Sequence, residues 1–383
     1  EVDVDNPQAK TCQDCHMARD LHHDEWDVHL DRIETQIAAI QDHTYPHAEN
    51  LAEREHLEIR RRTEGYARHN FRGLNVFLLE MFRQFDDVLG VRKHDFMTGS
   101  QLDLQHAIDD FVRQARTATA TIAVEARLVS DDQLEASVEI HNLAGHRFPS
   151  GVGFRRAFIE LLVIEQAAGE APERIVWSSG RTNELGVLVD DAGEPLPCEF
   201  FNAEPGSDKQ AFQHHHEVIT SPAQVQIYET LLWSAKHRFT TSFIHGSEMV
   251  KDNRLLPRGW KKEGPGGGLQ GEFLAATWPC PTSLKDPRYT DGSGSDEVLY
   301  RIALPAGVDP GRLAVRATLH YQAMPPYFLQ SLFETAPHGP ATQRLHYICS
   351  NIDLRGTPIE GWKLPVVSAA APAVRAARGA ANP

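Results

Sequence analysis

The sequence predicts an α+β chain: a helical region over residues 1–116, an all-β region over 117–366, and a disordered tail over 367–383. Three observations give that division. Apolar residues recur at helical spacing in several stretches before residue 116. From Ile122 onward the apolar period shortens to that of a strand, and strand-like runs alternate with glycine, proline and acidic clusters. From Ser368 the chain is mostly Ala, Pro, Arg and Gly, with too little apolar surface to fold alone.

Trp26, Leu30, Ile33, Ile37 and Ile40 predict a first helix, capped by Asp24 and closed by His43-Thr44-Tyr45-Pro46. Residues 48–64 are charged and helix-prone, with Leu51, Leu57 and Ile59 as apolar anchors. After Gly73, a third helix carries Leu74, Phe77, Leu78, Met81, Phe82, Phe85 and Leu89 on one wide face, and Gly90 ends it. Leu104, Ile108, Phe111 and Val112 predict a fourth, completing a small helical bundle.

Ile122, Val124, Ala126 and Leu128 then alternate, as do Leu134, Ala136, Val138 and Ile140, with Asp131-Asp132 as the turn of a hairpin. Further strands are predicted at 156–165, 174–178, 224–232, 238–244, 297–303, 313–321 and 343–350. That many short strands point to an immunoglobulin-like sandwich. The intervals 180–222 and 258–294 are then long loops, which raises the expectation that they are functional or cover something.

At 383 residues the chain is long enough for two or three domains. Its 38 basic against 53 acidic residues give a net charge of −15, with no dominant basic face for nucleic acid. No apolar run approaches the roughly 20 residues of a transmembrane helix, and no basic-then-apolar leader opens the chain. The first residue is Glu1, so the sequence reads as a processed or trimmed product and is silent on export.

The chemistry is concentrated in Cys12-Gln13-Asp14-Cys15-His16. Two thiols at this spacing can add to two vinyl groups of one porphyrin, while the adjacent histidine swings its imidazole under the iron. The motif predicts one covalent haem c per chain, with Cys12 and Cys15 as anchors and His16 as the proximal iron ligand. A zinc knuckle using His22 and His23 is the competing reading. A thioredoxin-like site would need a βαβ context that the surroundings lack. Haem c is attached outside the cytoplasm, so the expected location is periplasmic or extracellular.

Met17 stays on the proximal side and cannot be the sixth ligand. Among the 20 histidines, His22, His23, His43, His47, His56 and His69 fall in the helical part, each taken singly more readily a surface or capping residue than a ligand. His69 is the preferred distal ligand, because it precedes a strongly apolar helix and Gly73 allows close backbone approach. His47 is next, and His146 is a third option from the β region. Two imidazoles would make an electron carrier, and an open sixth position would admit a peroxidase-like redox enzyme.

Other signals are weaker. His214-His215-His216 is conspicuous, but adjacent side chains point different ways and do not converge readily on a metal. Asp286, Asp291, Asp296 and Glu297 surround a Gly/Ser loop without EF-hand spacing, so a solvated turn is preferred to calcium. Trp177, Trp233 and Trp260 read as packing residues, and 251–257 as a loop pinned by side-chain hydrogen bonds. Cys198, Cys280 and Cys349 allow one disulfide or buried free thiols. No Ser/His/Asp order or phosphate-cradling loop stands out, and no catalytic residue is assigned.

The run Asn142 to Gly151, with Arg155-Arg156-Ala157-Phe158, resembles the C-terminal β domain of large multihaem c-type cytochromes. So do Trp177-Ser178-Ser179-Gly180-Arg181, Gln224 to Glu229, Lys251 to Gly259 and Leu319-His320-Tyr321-Gln322. Cys12 to Met17 and His69-Asn70-Phe71-Arg72-Gly73 are similar to the last haem segment of that family. The resemblance implies an exported electron-transfer cytochrome, with other haem-bearing redox proteins or subunits as partners and homo- or hetero-oligomers allowed. A single Cys-x-x-Cys-His is a departure, implying either a C-terminal piece of a longer chain or a reduced member. The alternatives are a redox enzyme subunit with an open haem face, and a structural assembly module.

Overall fold

The structure, a computed structural model, describes residues 10–17, 19–23, 26–29, 35–40, 57–62, 71–93, 104–167, 172–201, 206, 211–264, 275–280 and 282–375, with backbone alone over 20–23, 26–29, 35–40 and 57–62. The chain divides into two compact units, Glu1–Gly73 and Leu74–Pro383.

In the first unit, α1 (Cys12–His16) precedes an antiparallel hairpin of β1 (Asp20–His23) and β2 (Trp26–His29). β3 (Thr35–Ile40) pairs antiparallel with β4 (Leu57–Arg62), in a register set by Ile40 opposite Leu57. The helices expected over 24–43 and 48–64 are therefore extended wherever these stretches are described. Leu57 and Ile59 are two residues apart, a strand period, and β-branched Thr35, Ile37, Ile40 and Ile59 favour extended backbone. Once a partner strand is present, that preference outweighs an irregular helical count.

The second unit begins with α2 (Val76–Gln84), α3 (Asp86–Leu89) and α4 (Leu104–Ala118), which cover the third and fourth helices expected from the sequence. Asn75 caps α2 through Leu78 N–H at 3.1 Å, and Gly90, at φ 68°, closes α3 in the left-handed region. Val76, Phe77, Met81, Ile108 and Ala115 are buried in the same core as the strands of this unit. The contact division at 73/74 thus places these helices in one unit with the strands, their apolar faces packed against one another and against the sheet.

The strands are β5 (Ala120–Ser130), β6 (Gln133–Asn142), β7 (Arg156–Glu165), β8 (Arg174–Ser179), β9 (Val218–Ile219), β10 (Ile227–Tyr228), β11 (Thr230–Ser234), β12 (Phe239–Thr240) and β13 (Gly246–Asp252). After α5 (Pro287–Thr290) come β14 (Ser295–Ala303), β15 (Leu313–Gln322), α6 (Pro326–Thr335), α7 (Pro340–Asn351), β16 (Leu364–Pro372) and β17 (Val374–Arg375). One five-stranded sheet runs β17-β5-β6-β14-β9. Another runs β10-β7-β15-β16, with β8 also on β7, and a three-stranded sheet runs β12-β11-β13. The predicted hairpin is present, with Ile122 opposite Ile140 and Val124 opposite Val138.

Leu134, Ala136, Val138 and Ile140 from β6 share one core with Ile159, Leu161 and Val163 from β7 and Val315, Ala317 and Leu319 from β15. Each fully buried aliphatic side chain here contributes about 1.5–3 kcal/mol. β7 is buried on both faces, because the long loop after β8 folds back over its outer side. Phe158 lies there with Leu188, Leu196, Val225 and Ile227. The same face carries Arg156, whose guanidinium donates to Glu199 at 2.6 and 3.1 Å and to Gln322 Oε1 at 2.7 Å. Lys251 likewise donates to Glu229 at 2.9 Å and to the Ile227 carbonyl at 2.8 Å. Buried charges survive only when paired in this way.

Two further expectations change. Residues 343–350 lie in helix α7, not in a strand: Pro340 starts it, and Leu345, Ile348, Cys349 and Ile352 face the core at helical spacing. The expected tail from 367 instead continues β16 to Pro372 and adds β17, with Ser368 opposite Thr318 and Val374 opposite Arg127. A short alanine-rich segment needs no core of its own when existing strands supply its hydrogen bonds. Residues 376–383 lie outside the described residues. Among the described residues, no helix is long and apolar enough to cross a membrane.

Both faces of β7 offer a stability test. Gly180 adopts φ 74°, and an added Cβ would press on the Ile159 carbonyl oxygen, well inside contact distance. Gly180→Ala should cost more than about 1 kcal/mol in denaturant unfolding, the least expected at an incompatible backbone position. Arg156→Leu strands the Glu199 carboxylate and should cost about 3–5 kcal/mol, with most of it recovered by adding Glu199→Leu.

Candidate functional site

The Cys-x-x-Cys-His motif is one turn of helix because its neighbours cap it. The Thr11 hydroxyl accepts from Asp14 N–H at 3.2 Å, and Asp14 accepts from Thr11 N–H at 2.7 Å, a reciprocal capping box. Arg19 donates to the other Asp14 oxygen at 2.7 Å. The bond from Thr11 N–H, then its hydroxyl and the Arg19 charge, hold the Asp14 carboxyl below its ordinary range. The helix stops where Met17 N–H reaches Gln13 O at 2.8 Å and Met17 turns extended. Cys12 and Cys15, three residues apart, share one helix face. Both thiols are free, Cys12 exposed and Cys15 half-buried.

His16 closes the turn, and its Nδ1 lies 2.6 Å from the Arg72 carbonyl. A carbonyl only accepts, so Nδ1 carries the proton and the ring lone pair is on Nε2. This is the tautomer an iron ligand needs, with the outer nitrogen held by an acceptor. Arg72 N–H in turn donates to His16 O at 2.8 Å, so the two residues grip each other twice. The cysteine spacing, the free thiols and the His16 tautomer together fit a covalently held haem. Sequence reasoning missed the part played by Arg72, because the contact is made by main chain and has no residue-type signature.

His69 and His47 lie outside the described residues. His146 belongs to the second unit, where it is exposed, with Nδ1 2.9 Å from the Arg147 carbonyl. Its loop is pinned by Asn142, whose side-chain amide donates to the carbonyls of His146, Leu255 and Leu256 at 2.8, 3.3 and 3.1 Å.

The histidine triplet and the acidic loop meet at one place. His215, Asp286 and Asp296 bring one ligand-type atom each to within 4.8 Å of the others. The proton pattern opposes a metal there. Gln226 Oε1 accepts from His216 N–H, so the Gln226 NH2 faces His215 Nδ1 at 3.1 Å and Asp296 Oδ2 at 2.8 Å. Asn253 Oδ1 accepts from Glu229 N–H, and its NH2 faces the same Nδ1 at 3.4 Å. Nδ1 is therefore an acceptor, and the ring proton is on Nε2, 3.3 Å from Asp286 Oδ2. The lone pair a metal would take is occupied.

With Tyr228 O–H donating to Asp296 at 2.7 Å, the cluster is a polar core that binds the loops to the sheets. Burial pushes the Asp296 carboxyl up, against the opposing effect of His215. Burial also pushes His216 down to about 4. Asp291 accepts from Ser293 N–H at 2.7 Å, and Glu297 accepts from Ser137 at 2.7 Å. The loop at 251–257 is pinned as predicted: Asp252 accepts from Arg147 and Arg254, and Asn253 from Glu229 N–H. Cys198, Cys280 and Cys349 are free thiols, each pushed up by burial, Cys349 to about 12.

No family model matches the sequence, and no curated protein is similar to it. Among solved structures, the chain is similar to a penta-heme cytochrome c552 from Thermochromatium tepidum, at 13% identity and a TM-score of 0.33. The match covers 80% of this chain and 44% of that one. Functional meaning therefore has to come from the residues themselves.

The cap around the motif should respond to both sequence and pH. Thr11→Ala should speed amide exchange at Asp14 and Met17 while leaving the unfolding midpoint of the second unit unchanged. Because the Asp14 pKa is lowered by folding, its contribution is complete above the ordinary carboxylate range and is lost as pH falls through the depressed folded value. The protection of these amides, taken relative to their intrinsic exchange at each pH, should thus be constant near neutrality and fall only in strong acid.

Proposed function

We propose that this protein is an exported c-type cytochrome that transfers electrons through one haem c, held by Cys12, Cys15 and His16, as part of a multihaem assembly. The observation that carries the reading is His16 itself: it sits in a Cys-x-x-Cys-His turn with Nδ1 given to the Arg72 carbonyl 2.6 Å away. A zinc knuckle draws on further ligands at short spacing, and its candidates His22 and His23 lie in β1 rather than in the capped turn. Bound haem supplies an iron that changes by one electron. The chain's part is to anchor the porphyrin edge through two thiols and to orient one imidazole.

His69 is the proposed sixth ligand, with His47 and His146 as alternatives. Arg72 grips His16 on the Nδ1 side, away from Nε2. His69 lies three positions before Arg72, and an extended chain spans at most about 3.5 Å per residue. His69 could also ligate a haem that this chain does not hold covalently, in keeping with other haem-bearing partners. Location in the periplasm or outside the cell follows from haem c attachment. The second unit is proposed as an immunoglobulin-like sandwich. In support, β5-β6-β14 and β8-β7-β15-β16 follow the order of the two sheets of such domains.

The test is direct. The denatured chain should retain one haem mass, and replacing Cys12 and Cys15 by Ser should release it. A low-spin spectrum indifferent to carbon monoxide marks a carrier. A high-spin ferric spectrum that changes on adding peroxide would replace the carrier with the redox-enzyme reading, and absence of haem would refute both.

A further inference from the structure

The segment that grips His16 has an unusual backbone. Phe71 adopts φ 44°, a left-handed conformation that a bulky L-residue rarely takes and that costs free energy. Its side chain is 66% exposed, so burial of the ring does not account for the conformation. The next residue makes two bonds that depend on this backbone: Arg72 N–H reaches His16 O at 2.8 Å, and Arg72 O reaches His16 Nδ1 at 2.6 Å. A rotation about the Phe71 N–Cα bond redirects both of these groups together. Strained backbone persists where surrounding interactions over-determine it, and such positions concentrate at functional sites.

We propose that Phe71 is a positioning residue: its left-handed turn aims the Arg72 carbonyl at His16 and thereby sets the tautomer and electron donation of the proximal ligand. The inference rests on the haem reading and adds to it a named backbone device. A hydrogen bond at Nδ1 raises the basicity of Nε2, which favours ferric over ferrous iron and lowers the reduction potential. Any residue that cannot hold φ near +44° should weaken that bond and raise the potential. Glycine, which enters the left-handed region without strain, should preserve it.

The experiment compares Phe71→Val with Phe71→Gly in the full chain. In the haem-loaded protein, Phe71→Val should raise the midpoint potential while Phe71→Gly stays at the wild-type value. In the haem-free chain, nitrogen-15 spectra should report the Nδ1–H tautomer of His16 in the wild type and Phe71→Gly, and mixed tautomers in Phe71→Val. The haem-free measurement decides the matter if Phe71→Val does not take up haem. Equal potentials in all three proteins, with an unchanged tautomer, would overturn the role of Phe71 while leaving the haem intact. Absence of haem mass from the wild-type chain would instead remove the functional reading.

Discussion

The second unit is organised around a strand that is dry on both sides. β7 faces the shared core with Ile159, Leu161 and Val163, and its opposite face with Phe158 and Arg156 is buried as well. A two-sided strand obliges the chain to supply a second cover, and the loop between β8 and β10 does so. The cover brings polar backbone and charge into a dry place, where each group needs a partner. Glu199 meets Arg156, Glu229 meets Lys251, and the amides of Gln226 and Asn253 meet His215. The buried polar residues are the means by which a long loop is held at fixed height over a sheet.

A related balance operates at Glu160. Burial pushes its carboxyl up, yet the hydrogen bond with His320 and the charge of Lys363, 2.7 Å away, more than offset this and hold it at about 2. In the first unit the requirement is different. There the chain must keep two thiols on one face of a single helical turn and hold one imidazole in one tautomer. Five residues cannot hold a helical turn unaided. Thr11, Asp14 and Arg19 stabilise the turn from its N-terminal side, and Phe71-Arg72 fixes its last residue from a distant point in the sequence.

Legibility in the sequence obeys the same physics. β6 was readable because one face is buried and the other is not, so Leu134, Ala136, Val138 and Ile140 alternate with polar residues. The first-unit strands were obscured because Trp26, Ile33, Ile37 and Ile40 satisfy a helical count by coincidence, while pairing partners decide the outcome. Helix α7 was hidden by Leu345-His346-Tyr347-Ile348, whose apolar and aromatic residues look strand-like until the burial of Ile348 is known. The Cys-x-x-Cys-His motif is legible as a motif, since its side chains stand at fixed spacing. The Arg72 carbonyl was not, since every residue carries one. Nor could spacing bring His215 to Asp286 and Asp296, roughly 70 and 80 residues downstream, a juxtaposition made by tertiary packing.

The route of β16 and β17 bears on how the second unit assembles. β16 pairs with β15, and after Ala373 the chain passes to β17, which lies parallel to β5, with Val374 beside Arg127. β17 thus completes a sheet whose first strand, β5, lies roughly 250 residues earlier. Contacts so distant in sequence close slowly, and a chain emerging from the ribosome cannot make them until β16 and β17 have emerged. Until then two edges stay open for pairing with other chains. Removing β16 and β17 would recreate the same exposed edges in the folded unit.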